Sequence, residues 1–250
     1  GEALPTGPVV QPNLGPFIVR GGRHTLSLAL DTGATAGEND EQDNEFSAQW
    51  VWSPQPLTPD EPLSRPGPPA PGALAEPNCD GYSFAPAAGT AWVVGLAGRS
   101  ELSDVNLLVY DDYTGSGAGF SHRRAQSLEA VSATDYIVGL RDSTPRVIYP
   151  AILRGGGTGH ATGGGDVVIE AVDARGRSAT QLPMVWAAQD LPPDHLVRIY
   201  EIRLEAGQGY DFRLLRERGQ ADLELALFGG GAVITARSGA KAFSVPLDDV

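Results

Sequence analysis

Pro16-Phe17-Ile18-Val19-Arg20-Gly21-Gly22 returns as Pro150-Ala151-Ile152-Leu153-Arg154-Gly155-Gly156, and Val51-Trp52-x-x-Gln55-x-Leu57-x-Pro59-Asp60 returns as Val185-Trp186-x-x-Gln189-x-Leu191-x-Pro193-Asp194. Both pairs lie 134 residues apart. A third block recurs without a gap at a spacing of 118: Tyr82, Gly89, Trp92, Asp104, Leu107, Val109 and Tyr110 fall on Tyr200, Gly207, Tyr210, Asp222, Leu225, Leu227 and Phe228. The chain therefore holds two copies of one unit. Repeats of this size point to an array of domains that each bury a core, an organisation typical of extended binding or structural proteins.

The frame of the repeat carries its own expectation. After Tyr110 the first copy runs through Ala133 to Leu140 and Arg146 to Tyr149 before reaching the Pro150 block, whereas the second copy meets Val250 near the position equivalent to Ala133. Its closing strands are expected to be missing, while the opening segment carries the signature that closes a unit. The division expected is an N-terminal extension or donor strand over 1–20 and a first sandwich over 21–154, which includes a Pro-rich segment over 53–77. A Gly-rich linker over 155–165 and an incomplete second sandwich over 166–250 follow.

Composition narrows the class. Gly 32 and Pro 20 in 250 residues disfavour long helices and supply turns. A formal charge of -13 argues against a nucleic-acid partner, which needs clustered Lys and Arg. No apolar run approaches the ~20 residues of a membrane span. The opening residues do not read as a signal peptide, so an exported form would be mature or excised. Cys79 is the single cysteine; it reads as a small buried hydrophobe, with an interchain disulfide as the alternative.

Short strands at regular spacing fill both copies. Thr25 to Leu30 and Phe46 to Trp52 flank a polar, acidic stretch; Gly81 to Phe84, Ala91 to Leu96, Val105 to Tyr110, Tyr136 to Leu140 and Val147 to Leu153 follow. Asp166 to Ile169 then opens the second unit, continued by Met184 to Trp186, Val197 to Leu204, Tyr210 to Leu215 and Leu223 to Phe228. Ser53 to Pro77 contains nine prolines, which remove ladder donors and predict an extended surface segment. The fold class is all-β, as tandem antiparallel β-sandwich repeats of jelly-roll or Ig-like type. Ser127 to Val131 and Asp211 to Arg218 are candidate short helices.

Gly89-Thr90-Ala91-Trp92-Val93-Val94 with Ser103 to Asp111, and Gly209-Tyr210-Asp211-Phe212 with Ala221 to Phe228, resemble the bacterial pre-peptidase C-terminal domain. That resemblance implies a small extracellular β-sandwich appended to secreted peptidases and other surface proteins, often with calcium and sometimes binding fibrous substrates. Gly21 to Asn44, with Leu30-Asp31-Thr32-Gly33 and Glu38-x-Asp40-Glu41-x-Asp43-Asn44, resembles the closing hairpin of the bacterial cell-adhesion-related, Ig-like domain. Neither resemblance implies a reaction.

Asp31, Glu38, Asp40, Glu41 and Asp43 can supply the hard oxygens that calcium takes, without EF-hand spacing; a solvated acidic loop is the alternative. Leu28 to Thr35 also resembles the active-site turn of retropepsin-like aspartic proteases, where two aspartates share a proton. The internal copy has Ala171-Val172-Asp173-Ala174-Arg175-Gly176 instead, and the residues after Ala34 are acidic where such a protease needs an apolar strand. His24, His122, His160 and His195 are scattered, and no phosphate loop or Gly-x-Ser-x-Gly elbow is present. Trp52 and Trp186, at equivalent positions, read as core anchors.

These observations favour a non-enzymatic extracellular or cell-surface protein that assembles head to tail with copies of itself. Val9, Val10, Phe17, Ile18 and Val19 would supply an apolar donor strand to an open sandwich. The alternatives are an accessory module binding a surface or matrix glycan or a fibrous protein, and an aspartic protease using Asp31-Thr32-Gly33.

Overall fold

The computed structural model describes residues 19–29, 45–68, 79–99, 105–113, 123–128, 134–139, 146–154, 166–174, 180–181, 191–192, 194–202, 205, 209–214, 223, 225–229, 232–237 and 242–245. Among these residues every regular element is a strand. The chain is an all-β protein built on an antiparallel sandwich. Neither candidate helix forms within the described residues: Ser127 ends a strand, and residues 211–213 belong to one.

The first sheet runs β2 (Glu45–Trp52), β1 (Gly22–Ala29), β5 (Cys79–Ser83), β10 (Tyr149–Arg154), β7 (Val105–Tyr110), β8 (Arg123–Ser127). The short β3 (Gln55–Pro56) adds in parallel to β5 beside Tyr82 and Ser83. The second sheet runs β4 (Leu63–Pro66), β11 (Asp166–Asp173), β6 (Trp92–Gly98), β9 (Thr134–Gly139). Between the sheets lie Tyr82, Phe84, Trp92, Val94, Leu96, Leu107, Val109, Ile152, Val167 and Ile169, all buried. These residues alternate along their strands, as a two-sheet core requires.

The strand β11 corrects the expected division of the chain. Asp166 to Ile169 was expected to open the second unit, yet β11 pairs with β6 from Val167 to Asp173 and with β4 from Asp166 to Ile169, in the middle of the first sandwich. Its composition explains the placement. Val167, Val168, Ile169, Ala171 and Val172 form a run buried on both faces, which an edge or opening strand could not satisfy. The Pro-rich segment also departs from a plain extended linker, because it holds β3 and β4. Pro66 is tolerated since β4 is an edge strand.

The repeat has a conformational signature. In Thr58-Pro59-Asp60-Glu61, Glu61 N–H donates to Thr58 C=O at 3.3 Å and Asp60 takes a φ of 63°. At the equivalent place in the second copy, His195 N–H donates to Pro192 C=O at 3.2 Å and Asp194 takes a φ of 73°. Proline at the second and a left-handed residue at the third position make the first of these a type II turn. Asp is among the few side chains that tolerate that third position.

In the second copy, β14 (Tyr210–Arg213) pairs with β17 (Ala242–Val245), and β15 (Leu225–Gly229) with β16 (Ala232–Arg237). The corresponding pairs in the first copy are β6 with β9 and β7 with β8. The second copy thus contains counterparts of β8 and β9, compressed by a shorter connection after β15. The expected gap in its closing strands is smaller than the sequence comparison suggests. Tyr200–Glu201 forms the short β13, parallel to β12 (Thr180–Gln181); the rest of the expected strand from Val197 is irregular among the described residues. Trp52 is half-buried with its ring 5.8 Å from His24, and Trp186 lies outside the described residues.

Candidate functional site

Two buried polar clusters stand out. The first explains the Arg-Gly-Gly signature of the repeat. At the start of β1 the chain crosses β5 at contact distance: a Cβ on Gly21 would lie 2.6 Å from Gly81 O, and one on Gly22 would lie 2.0 Å from Cys79 O. Gly22 also has a φ of 112°, which side-chain-bearing residues rarely adopt. Gly81 N–H donates to Gly21 C=O at 2.9 Å, so the crossing is hydrogen-bonded.

Arg20 fixes that crossing. Its Nη1 donates to Asp80 Oδ2 at 3.0 Å and to Pro66 C=O at 2.5 Å, and its Nη2 to Gly67 C=O at 3.2 Å, which ties β5 to the end of β4 on the other sheet. Asp80 is completely buried; His24 Nε2 stands 3.6 Å from its Oδ1. Burial pushes the Asp80 carboxyl above its usual range, and the charges of Arg20, His24 and Arg65 oppose that rise. Alongside, Arg65 Nη1 donates to Gln55 Oε1 at 2.6 Å and to the Tyr82 hydroxyl at 3.1 Å. Burial, reinforced by Asp80, pushes the Tyr82 phenol up to about 12. Tyr113 completes the clamp: its hydroxyl accepts from Gly22 N–H at 2.9 Å and donates to Trp52 C=O. A buried carboxyl matched by cations holds a strand crossing in place.

The second cluster joins the two copies. Glu170, in the middle of β11, has no exposed surface. Its Oε2 accepts from Leu196 N–H at 2.6 Å and Val197 N–H at 3.3 Å, and its Oε1 meets His195 Nδ1 at 2.6 Å. Arg198 Nη1 lies 3.6 Å from Oε1 and 3.1 Å from His195 Nδ1. One ring nitrogen cannot both donate to the carboxylate and accept from the guanidinium, so the short contact to Glu170 assigns the proton to Nδ1. Arg198 then acts on Glu170 through charge. Gly95, beside Glu170 in the ladder, makes room for this segment, since a Cβ there would come 2.9 Å from Val197 Cγ1. Asp194 pairs with Arg99 at 2.5 Å on the exposed rim.

The residues read from sequence as sites are distributed differently. Asp31, Glu38, Asp40, Glu41 and Asp43, together with Thr32 and Gly33, lie outside the described residues, as do Val9, Val10, Phe17 and Ile18. Val19 is described and half exposed, directly before Arg20. Asp173, in the internal counterpart of the Asp31 turn, is buried and accepts from Ala87 N–H at 3.0 Å, closing the end of β11. Among the described residues no three His, Cys, Asp or Glu side chains are gathered as metal ligands would be, and Cys79 is a buried thiol. No helix among them is long and apolar enough to cross a membrane. Sequence reasoning missed Glu170; the available signal was one charged residue inside an apolar strand, which demands a partner from elsewhere in the chain.

No family model matches this chain, and no curated protein matches it. Among solved structures it is similar to the pre-peptidase C-terminal domain of a collagenase from Bacillus anthracis, with 9% sequence identity and a TM-score of 0.32, covering 48% of this chain and 94% of that one.

Proposed function

We propose that the chain is an extracellular structural protein, without catalytic function, whose β-sandwich copies are held in a fixed head-to-tail relation as a surface fibre or adhesive stalk requires. The observation that carries this reading is the Glu170 contact. A fully buried carboxylate of the first copy has as its partners a histidine and two backbone N–H groups of the second. Breaking it leaves buried polar groups unsatisfied, so the contact resists the free swivelling expected of beads on a linker.

Addition of further copies belongs to the same reading. The first-copy segment Pro150 to Arg154 is β10, which lies between β5 and β7. Pro16 to Arg20 repeats its signature, and β15 is the counterpart of β7. A Pro16 to Arg20 segment from another copy would add beside β15 by strand complementation, with Phe17, Ile18 and Val19 as its apolar side chains.

Small-angle scattering on the purified chain tests the fixed relation. The expected result is one maximum dimension, independent of concentration at high dilution, that lengthens in Glu170→Ala while the circular dichroism of the strands is kept. Identical scattering from the two proteins would show that the contact does not set the arrangement, and the reading would fall.

A further inference from the structure

A cleft in the first sandwich sets two arginines against an apolar lining. Pro86, Ala87, Trp92 and Ile148 supply the lining, Thr90 a hydroxyl, and Arg124 and Arg146 the charge. The backbone around it is held in place. Ile148 exchanges hydrogen bonds with Phe84 at 2.8 and 2.9 Å, Thr90 Oγ1 donates to Ala87 C=O at 2.7 Å, and Ala87 N–H donates to Asp173 Oδ2 at 3.0 Å.

Arg124 reaches the cleft through an irregularity of β8. Ala125 pairs with Val109 and Arg123 with Tyr110, so Arg124 is an extra residue with no counterpart on β7. A bulge of this kind re-aims a side chain out of the regular alternation. The guanidinium of Arg124 thereby crosses from the edge of the first sheet to the second, with Cζ 5.9 Å from the ring centroid of buried Trp92. Arg146 Nη1 and Arg124 Nη1 stand 3.0 and 3.4 Å from one and the same oxygen, Asp111 Oδ1. Two guanidinium groups therefore share one carboxylate oxygen, and the Arg146 side chain stays 46% exposed.

We infer that this cleft binds the C-terminal carboxylate of a peptide or protein partner that ends in a small apolar residue. Charge gives the class of ligand. Two cations set against one carboxylate favour an added anion, and the planar fork of a guanidinium matches a carboxylate. The chain's formal charge of -13 repels a polyanion such as a sulfated glycan, whereas a single carboxylate answers mainly to the nearby pair. The lining gives the body of the ligand. An acidic sugar would bring a ring of hydroxyls, yet the cleft's uncharged polar side chain, Thr90, already donates to Ala87 C=O. Pro86, Ala87 and Ile148 suit an alkyl group instead. The space, ≈ 240 Å³ and open to solvent, is smaller than a drug-sized pocket, so it takes the terminal residue alone, with a dissociation constant on the order of 1 mM.

Amide chemical shifts of the isotope-labelled full chain test the inference, with N-acetyl-alanyl-valine and its C-terminal amide as probes. The expected result is saturable shifts at Ala87, Thr90, Arg124 and Ile148 with the acid, and binding of the amide weaker by at least about tenfold. Arg146→Gln should weaken binding of the acid by at least about fivefold. Arg213→Gln removes an exposed arginine of the second copy, paired with Asp211, and should leave binding as in the parent. Equal binding of acid and amide, equal effects of the two substitutions, or no saturable shift up to about 20 mM would each overturn the inference. So would glucuronate or octanoate binding as tightly as the peptide acid, which would assign the cleft to an acidic sugar or a fatty acid.

Discussion

Asp60 and Asp194 hold the same left-handed backbone at equivalent places in the two copies, with φ values of 63° and 73°. They nevertheless do different work. Asp60 N–H donates to Ala171 C=O at 3.0 Å within the first sandwich, whereas the turn of Asp194 delivers His195, Leu196 and Val197 to Glu170. One turn of the repeat is read twice by the same strand, β11, once as part of its own domain and once as the neighbour.

The left-handed conformation costs a side-chain-bearing residue on the order of 1 kcal/mol. Asp60→Ala should therefore fall below both the parent and Asp60→Gly in stability, by up to ~1 kcal/mol less the added entropy of the unfolded glycine in the second comparison. Urea midpoints of the three proteins check the ordering.

Glu170→Ala should cost about 2–4 kcal/mol at the junction, because it leaves buried backbone donors and His195 without an acceptor. Glu170→Gln keeps an acceptor and should cost less. The junction can open while the first sandwich stays folded, so the sensitive measurement is trypsin cleavage after Arg198, whose side chain is largely buried beside Glu170. That rate should rise at least about tenfold in the alanine variant.

Tyr82 gives a high-pH signature. Its folded pKa is raised to about 12 from 10.0, so the unfolded phenol ionises first and stability falls as pH climbs from 10 through about 12. The loss approaches ~3 kcal/mol at full ionisation. Tyr82→Phe removes this dependence; the stability difference between parent and variant should shrink over that interval, and a constant difference would contradict the assignment.

Asp80 acts at the other end of the scale. Its folded pKa is raised above 3.8, so the folded state keeps the proton longer. Stability from this group is lost as pH rises from 3.8 through the raised value, and regained on acidification. Denaturant titrations of the parent and Asp80→Asn across the acid range should show the parent losing ground to the variant as pH increases.

How much of this the residues announced depends on burial. The alternation in Val105 to Tyr110 and the apolar run from Val167 to Val172 both read as strands, because side chains there face a core. The run could not reveal which unit it joins, since a strand buried on both faces has no polar row to orient it. Arg123-Arg124-Ala125-Gln126-Ser127 became the edge strand β8 without any apolar alternation, its ladder to β7 supplying what its side chains do not. The Arg-Gly-Gly signature was visible as a repeat; its reason, an arginine reaching Asp80 60 residues away past two glycines in contact with β5, is tertiary. Glu170 was visible as a charge out of place, and its partners lie at least 25 residues on, beyond any local pattern.

Trp92 and Gly139 face each other across β6 and β9, and the indole lies over the glycine. A Cβ on Gly139 would fall 1.9 Å from Trp92 Cε2 and 2.1 Å from Cζ2. Trp92 is 2% exposed and packed in the core, so its ring cannot swing away without displacing its neighbours. Gly139→Ala should destabilise the first sandwich by about 1–3 kcal/mol, the usual cost of overpacking. Alanine ordinarily stabilises a strand relative to glycine, so the sign itself is the test. A double-mutant cycle with Trp92→Leu separates the two effects. In the Trp92→Leu background, where the clash is relieved, the same Gly139→Ala change should cost less or turn favourable; an unchanged cost would place the strain somewhere other than this pair.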